Sequence, residues 1–448
     1  MSIFRAYDVR GIYPTDLNEE IVLKIGKAFG TFNPGKIVVG NDARISGPSL
    51  KKELIKGLVS TGCDVIDIGM VSTPMVIFST KHLGCDGGIM VTASHNPKEF
   101  NGFKFNDLNA IPISYESGLN RIQKIIKEGK FSTGTGKVIK KNIQEKYTEF
   151  LLSKIDIKKP LNMKVVVDAG NGSTGLIYPK VLRKIGVDVH EIYCKPDGNF
   201  PNHQPDPTKK ENMLDLQKKV LEVKADLGFA YDGDGDRFGV VDGNGKIVEP
   251  NKIFALLIKQ SLSNKPESKV VFDALSSMMI RDTIKKHAGI PIVSKVGHTY
   301  ITQRMVKEDA VLSGELSGHY YFKETFYCDD ALFASLRFIE FLTKKGKKLN
   351  EHFKDLPKYY SQVSEGMRIP IKQSEKFSFI ENLKQDLRNK GYKIDTLDGV
   401  KIIFDDGWAL LRPAQTESKI SVAYESRGEE EFKNIKQFVD KIVERIPK

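Results

Sequence analysis

Three times along this chain a lysine opens a short, unbroken apolar run that soon meets an aspartate. The runs are Lys36-Ile-Val-Val39 before Asp42, Lys164-Val-Val-Val167 before Asp168, and Lys269-Val-Val-Phe272 before Asp273. Unbroken runs of this length read as strands buried on both faces, as parallel strands under helices are. Each leads into helical spacing and a second strand, near residues 64–68, 187–192 and 292–296, so three βαβ beginnings are expected. A further apolar strand follows in each repeat, at 88–91, 227–230 and 311–312. A polar loop then leaves each one: Thr92-Ala-Ser94-His95-Asn96-Pro97, Asp232-Gly-Asp234-Gly-Asp236-Arg237 and Gly314-Glu315-Leu316-Ser317-Gly318-His319. Ligands of open α/β sheets collect at the carboxyl ends of strands, so the three loops are expected to meet in one cleft.

A chain of 448 residues exceeds what one core supports. The Gly-, Ser- and Thr-rich stretch 129–137 reads as a linker, and 143–152 as a helix before the second repeat. Beyond residues 354–366 the pattern changes. Val400–Phe404, the turn Asp405-Asp406-Gly407 and Trp408–Leu411 read as a hairpin, followed by a strand at 419–424 and a helix from about Glu429. The expected fold is α/β: three related mixed-sheet α/β domains plus a smaller C-terminal α+β domain around a central cleft. The expected boundaries are 1–140, 141–248, 249–357 and 358–448.

Composition narrows the function. No run approaches the apolar length of a membrane span, and the opening Met-Ser-Ile-Phe-Arg-Ala-Tyr-Asp lacks a signal-peptide core. Cys63, Cys85, Cys194 and Cys328 are scattered without a CxxC pair, which argues against a zinc knuckle or disulfide framework. A cytoplasmic protein, without membrane or nucleic-acid partners and either monomeric or homodimeric, is expected. The net charge of +12 lies in short runs such as Lys344-Lys345-Gly346-Lys347-Lys348, as on a solvated surface that attracts phosphorylated metabolites.

Two loops carry chemistry. Asp232, Asp234 and Asp236 alternate with glycines and can wrap one hard cation. An EF-hand would need Gly and Glu where Arg237 and Gly243 stand. Open coordination positions suit Mg²⁺ shared with a phosphate oxygen; a structural Ca²⁺ loop is the alternative. Arg237 adds a fork for phosphate oxygens. Ser94 lies outside any G-x-S-x-G elbow, and Gly170 with Gly175 fails as a Walker A loop because Leu176 replaces the lysine. What remains is a loop serine able to carry phosphate near a metal and cations.

These motifs, with Asn101-Gly-Phe-Lys104 and Arg412-Pro-Ala-Gln-Thr-Glu417, occur in the order found in the α-D-phosphohexomutases, which the whole chain resembles. The opening Phe4–Gly11, Lys295–Thr299 and Pro196–Pro207 resemble the phosphomannomutase/phosphoglucomutase branch. The resemblance implies interconversion of hexose 1-phosphates and hexose 6-phosphates of mannose or glucose. The route would run through phosphorylated Ser94 and a hexose 1,6-bisphosphate, with glucose or mannose 1,6-bisphosphate as activator. It implies that Asp232, Asp234 and Asp236 hold Mg²⁺ with the Ser94 phosphate. Glu315 and Ser317 would bind sugar hydroxyls, with His319 and Thr299 also on the substrate side. Arg412, Gln415 and Thr416 would grip the distal phosphate. Arg10, His95, Lys104, Arg237 and His298 would line the reacting end, with Lys104 and His298 favoured for acid–base work.

The phosphate loop departs from the family pattern: Ala414 stands where Ser is usual and Ser418 where Pro is usual. The lost hydroxyl is expected to weaken phosphate binding. Phosphoglucosamine mutase, a phosphatase that loses the serine phosphate to water, and a non-catalytic nucleic-acid binder remain as alternatives.

Overall fold

The repeated apolar runs form the centres of three sheets. In the first, Lys36–Asn41 lies between the parallel strands Asp64–Met70 and Gly87–Val91; Phe100–Asp107 and Val9–Ile12 then continue antiparallel. In the second, Lys164–Asp168 lies between Asp188–Ile192 and Leu227–Tyr231, both parallel to it, with Phe238–Asp242 antiparallel beyond. In the third, Lys269–Asp273 takes Ile290–Ser294 on one side and Leu312–Gly314 on the other, again parallel. The shared order explains why the strand carrying each polar loop ends beside the strand carrying each aspartate. The structure, a computed structural model, describes residues 3–157, 161–346, 348–363, 367–414 and 418–447.

The chain folds as two compact units. One runs through Val248 and includes Ser317–Asn350; the other comprises Glu249–Leu316 and the residues from Glu351 onward. In the first unit, Val39, Ile89, Val91 and Phe105 are buried with Phe29 from the helix Glu19–Phe32. The helix Ala331–Lys345 lays Phe338 edge-on to Phe229 and Phe238 of the second sheet.

In the second unit the C-terminal sheet is antiparallel, with Gly407–Pro413 and Lys419–Ser426 at its centre. Alternation along Gly407–Pro413 divides the burial as a period of two requires. Ala409 and Leu411 pack with the helices Lys376–Asn389 and Glu429–Val443, whereas Trp408 and Leu410 pack on Ala274, Leu275 and Met278. Lys401 follows Trp408 to that face: its ammonium lies 3.8 Å from the indole centroid and donates to the Ala274 carbonyl at 3.1 Å. Burial pushes this ammonium down to about 8.

Two local expectations shift. The stretch 129–137 is tied to its domain: Gly134 and Gly136 donate to the Ser60 and Val59 carbonyls, and Val138–Lys140 adds an edge strand. The third repeat's second strand begins at Ile290, ahead of Pro291. It is an edge strand, where the missing proline N–H costs no ladder bond. Among the described residues no helix is long and apolar enough to cross a membrane. All four cysteines are free and buried.

Candidate active site

The repeated aspartates act as anchors beneath the loops. Asp42 takes the backbone N–H of Arg44 (2.9 Å), the Arg44 Nε (3.2 Å) and the Thr92 hydroxyl (2.7 Å). Thr92 Oγ1 in turn accepts from Ser94 N at 2.7 Å. Arg44, with no exposed side-chain surface, spends its remaining donors on the carbonyls of Ser94, Asn96, Pro97 and Phe100 at 2.6–2.9 Å. Ser94 is held in the left-handed region, φ 50°, and is almost wholly buried. Strained backbone of this kind persists only where its surroundings over-determine it. Asp168 holds His203 at 3.0 Å, and Gln204 beside it donates to the His95 carbonyl. Asp273 holds Ser276 Oγ at 2.9 Å.

The Asp232–Arg237 loop closes around its first carboxylate. Asp232 Oδ1 accepts from the amides of Gly235, Asp236 and Arg237 at 3.0–3.1 Å, leaving Oδ2 to receive the Ser94 hydroxyl at 2.7 Å. A Cβ on Gly233 would stand 2.7 Å from the Ser94 carbonyl, so glycine is what lets the two loops meet. Lys104 bridges Asp234 and Asp236 at 2.7 and 2.5 Å, and Thr73 Oγ1 donates to Asp234 at 2.6 Å. Ligand atoms of Asp232, Asp234 and Asp236 lie within 4.8 Å of one another; those of Asp236, His319 and Asp329 do so as well. Asp234 Oδ1 and Asp236 Oδ1 are buried without a hydrogen-bond donor among the described residues. Buried carboxylate oxygens left open in this way fit a cation, and all-oxygen donors fit a hard one.

The charges around this pocket oppose one another. Burial, reinforced by Asp236 and Asp234, pushes the Asp232 carboxyl well above the usual range. Burial also works to raise Asp236, but Lys104, His319 and Arg237 hold it far below. Burial opposes the charge on Lys104, yet Asp234 and Asp236 keep it protonated beyond the ordinary lysine range. Desolvation, then Arg237 and Arg10, holds the His95 imidazole neutral. Arg237 Nη2 lies 3.5 Å from His95 Nε2, and His95 Nδ1 lies 3.1 Å from Ser94 Oγ. Arg237 Nε donates to His319 Nε2 at 3.1 Å, and His319 Nδ1 stands 2.9 Å from Asp329. Arg10 pairs with Asp8 (2.7 Å) and donates to the Asn96 side chain (2.5 Å). Ser317 is half-buried at the start of the Ser317–Asn350 segment.

The other candidates belong to the second unit. His298 and Thr299 open the helix His298–Glu308. Thr299 is fully buried, its hydroxyl without a hydrogen-bond partner among the described residues. Glu315 is buried and accepts from Gly297 N at 3.0 Å. Arg412 is buried against Asp398, and Lys376 donates to the Ala414 carbonyl at 2.6 Å. Gln415 and Thr416 lie outside the described residues.

Sequence reasoning missed Arg44, Thr73, Asp329, Asp398 and Lys376. Arg44 follows the first apolar run directly, but the motifs singled out there stop at Asp42; the other four stand outside the motif loops, and their roles depend on contacts that the local pattern does not show. For Asp42 the signal was present in the repeat, but its task was not.

A buried serine hydroxyl among clustered carboxylates and fixed cations is equipment for phosphoryl transfer, where positioning and charge do most of the work. Comparison with known proteins agrees. The descriptions "Phosphoglucomutase/phosphomannomutase, alpha/beta/alpha domain I", "II" and "III" match residues 1–133, 145–245 and 249–360, and that family's C-terminal domain matches 345–442. A phosphomannomutase/phosphoglucomutase of Pseudomonas aeruginosa is 38% identical over 444 residues, 97% of this chain and 94% of that one. A phosphomannomutase of Escherichia coli is 36% identical over 439 residues, 96% of each chain. The crystal structure of a phosphoglucomutase/phosphomannomutase family protein from Burkholderia thailandensis superposes with a TM-score of 0.90 at 31% identity, covering 98% of this chain and 96% of that one. The chain belongs to the phosphoglucomutase/phosphomannomutase family. It is thus an intramolecular phosphotransferase, and the phosphoglucosamine mutase alternative is not favoured.

Proposed function

We propose that the protein interconverts the 1-phosphates and 6-phosphates of glucose and mannose, with Ser94 carrying the phosphoryl group between turnovers. The observation that carries this reading is the 2.7 Å contact of Ser94 Oγ with Asp232 inside the carboxylate cluster. The P. aeruginosa relative is a phosphomannomutase/phosphoglucomutase, a name that covers both sugars, which supports activity on both.

In the proposed cycle, phosphorylated Ser94 gives its phosphoryl group to O6 of a hexose 1-phosphate. The Ser94–phosphorus bond breaks as the O6–phosphorus bond forms, the O6 proton passes to a base and Ser94 Oγ takes a proton as it leaves; in the return transfer Ser94 Oγ gives up that proton and O1 takes one. The 1,6-bisphosphate turns over, and Ser94 recovers phosphoryl from O1 to leave the 6-phosphate. Asp232, Asp234 and Asp236 would hold Mg²⁺, which supplies positive charge to the phosphoryl oxygens. Lys104 and Arg237, held by the carboxylates, spread further charge over the same oxygens. Arg10 lines the same end. His95, kept neutral, suits a proton acceptor, Lys104, kept protonated, suits a proton donor, and His298 is the further candidate for acid–base work. Glu315 and Ser317 would bind sugar hydroxyls, with His319 and Thr299 beside them, and Arg412, Gln415 and Thr416 the phosphate that does not react. A trace of glucose or mannose 1,6-bisphosphate would restore the phosphorylated serine after accidental hydrolysis.

The test is conversion of glucose 1-phosphate and mannose 1-phosphate to their 6-phosphates, with Mg²⁺ and trace bisphosphate, for the native protein and Ser94→Ala. Turnover of both sugars that collapses in Ser94→Ala is expected. Undiminished turnover in the variant would overturn the assignment of Ser94, and no turnover of either sugar by the native protein would overturn the substrate class.

A further inference from the structure

We propose that Asp398 is a positioning residue that aims Arg412 at the substrate phosphate and ties it to the backbone beside His298. The proposal rests on the reading of Arg412 as a phosphate grip. Asp398 lies in the turn between the strands Ile394–Asp395 and Val400–Ile403. Its Oδ2 accepts from Arg412 Nε at 3.0 Å and from Val296 N at 2.9 Å. Asp398 is 8% exposed and Arg412 6%. The turn is pressed onto the arginine: a Cβ on Gly399 would stand 2.7 Å from Arg412 Cα.

One carboxylate oxygen occupies only one of the five guanidinium N–H groups, and it takes the inner Nε. An arginine held there has already lost much of its rotamer freedom, so gripping a phosphate orders it less. A second carboxylate extends the link. Gly297 N, adjacent to Val296 N, donates to Glu315 Oε1 at 3.0 Å. Neighbouring amides ahead of His298 are thus each held by a carboxylate, one tied to the proposed phosphate grip and one belonging to the proposed sugar grip. The path from Arg412 through Asp398, Val296 and Gly297 to Glu315 contains three hydrogen bonds, and the acceptors are buried. The spacing between the two grips is therefore set within this unit before substrate arrives. It is set across about 100 residues of sequence, by a residue outside the polar loops.

The experiment uses the full chain, phosphorylated at Ser94 and supplied with Mg²⁺. Asp398→Asn keeps an acceptor for the Val296 amide and removes the charge facing Arg412. The KM for glucose 1-phosphate should rise about tenfold or more, the loss expected for a hydrogen bond to a charged group. kcat should change by less than about threefold, since ground-state binding is what is lost. In an Arg412→Ala background the same change should add nothing, because residues acting through one contact are not additive. A full KM effect in both backgrounds, or none with Arg412 intact, would overturn the proposal by making Asp398 merely a link in the fold. If Arg412→Ala itself leaves KM unchanged, the phosphate-grip reading falls first and takes the proposal with it. Should the amide variant fold poorly, Asp398→Glu serves: it moves the charge by one methylene, and KM should rise only while Arg412 is present.

Discussion

Arg44→Lys should loosen the Ser94 loop while leaving the first sheet intact. The native guanidinium reaches Asp42 and four backbone carbonyls at once, through Nε, Nη1 and Nη2. A lysine keeps the charge but brings only three donors on a single nitrogen. If one of them stays on Asp42, at least two of the carbonyls of Ser94, Asn96, Pro97 and Phe100 lose their partner, and of the four bonds only that to Ser94 is fully buried. A buried orphan costs about 1–3 kcal/mol and a partly exposed one less, so the closed loop should lose about 1–3 kcal/mol. Relief on opening makes the effect local rather than global. The assay is amide hydrogen exchange over residues 92–104, with the helix Glu19–Phe32 as internal reference. Every 1.4 kcal/mol is tenfold, so loop protection should fall by at least about fivefold. Phosphorylation of Ser94 by glucose 1,6-bisphosphate should slow in parallel. Loop protection within about threefold of the native protein would refute the reasoning, because it would mean that the four carbonyls do not need the guanidinium fork.

Three further outcomes follow from the geometry. Adding Mg²⁺ to EDTA-stripped protein should restore turnover and raise the unfolding temperature by binding the native state alone. Asp234→Ala should lose the thermal shift, and an equal shift in that variant would place the cation elsewhere. Lys401 has a folded pKa of about 8 against 10.5 for the free side chain, so between those pH values the unfolded chain binds more protons. Stability relative to Lys401→Met should therefore rise from pH 8 toward 10.5 and level off beyond; a constant difference across the window would contradict this. Ala414→Ser should lower KM for glucose 1-phosphate by about tenfold, as a regained hydrogen bond to a charged group would, and an unchanged or higher KM would show that the hydroxyl is not missed.

Much of the architecture was legible because it rests on local pattern. Apolar runs before Asp42, Asp168 and Asp273 gave the central strands, and alternation around Asp405-Asp406-Gly407 gave the C-terminal hairpin, seen with Ile403 opposite Trp408. The same pattern failed at Pro291, where an edge position excuses the proline, and at 129–137, where the glycines serve close packing rather than freedom. In the site, Ser94 and the three aspartates were legible because their loops break the surrounding hydrophobicity. Lys104 was expected at the reacting end, but nothing in Asn101-Gly-Phe-Lys104 says that its ammonium bridges Asp234 and Asp236, more than 120 residues away.

The sequence by itself determined the strands, the triple repeat and the loops that carry the chemistry, because periodicity and turn residues act over a few neighbours. The tertiary structure alone decided which groups are pushed toward or away from charge, which polar atoms face one another, and which residues hold the loops in place. Those properties depend on burial and on partners such as Arg44 with Ser94, Arg237 with His319 and Asp398 with Val296. Each pair is brought together only when distant segments pack and water is excluded.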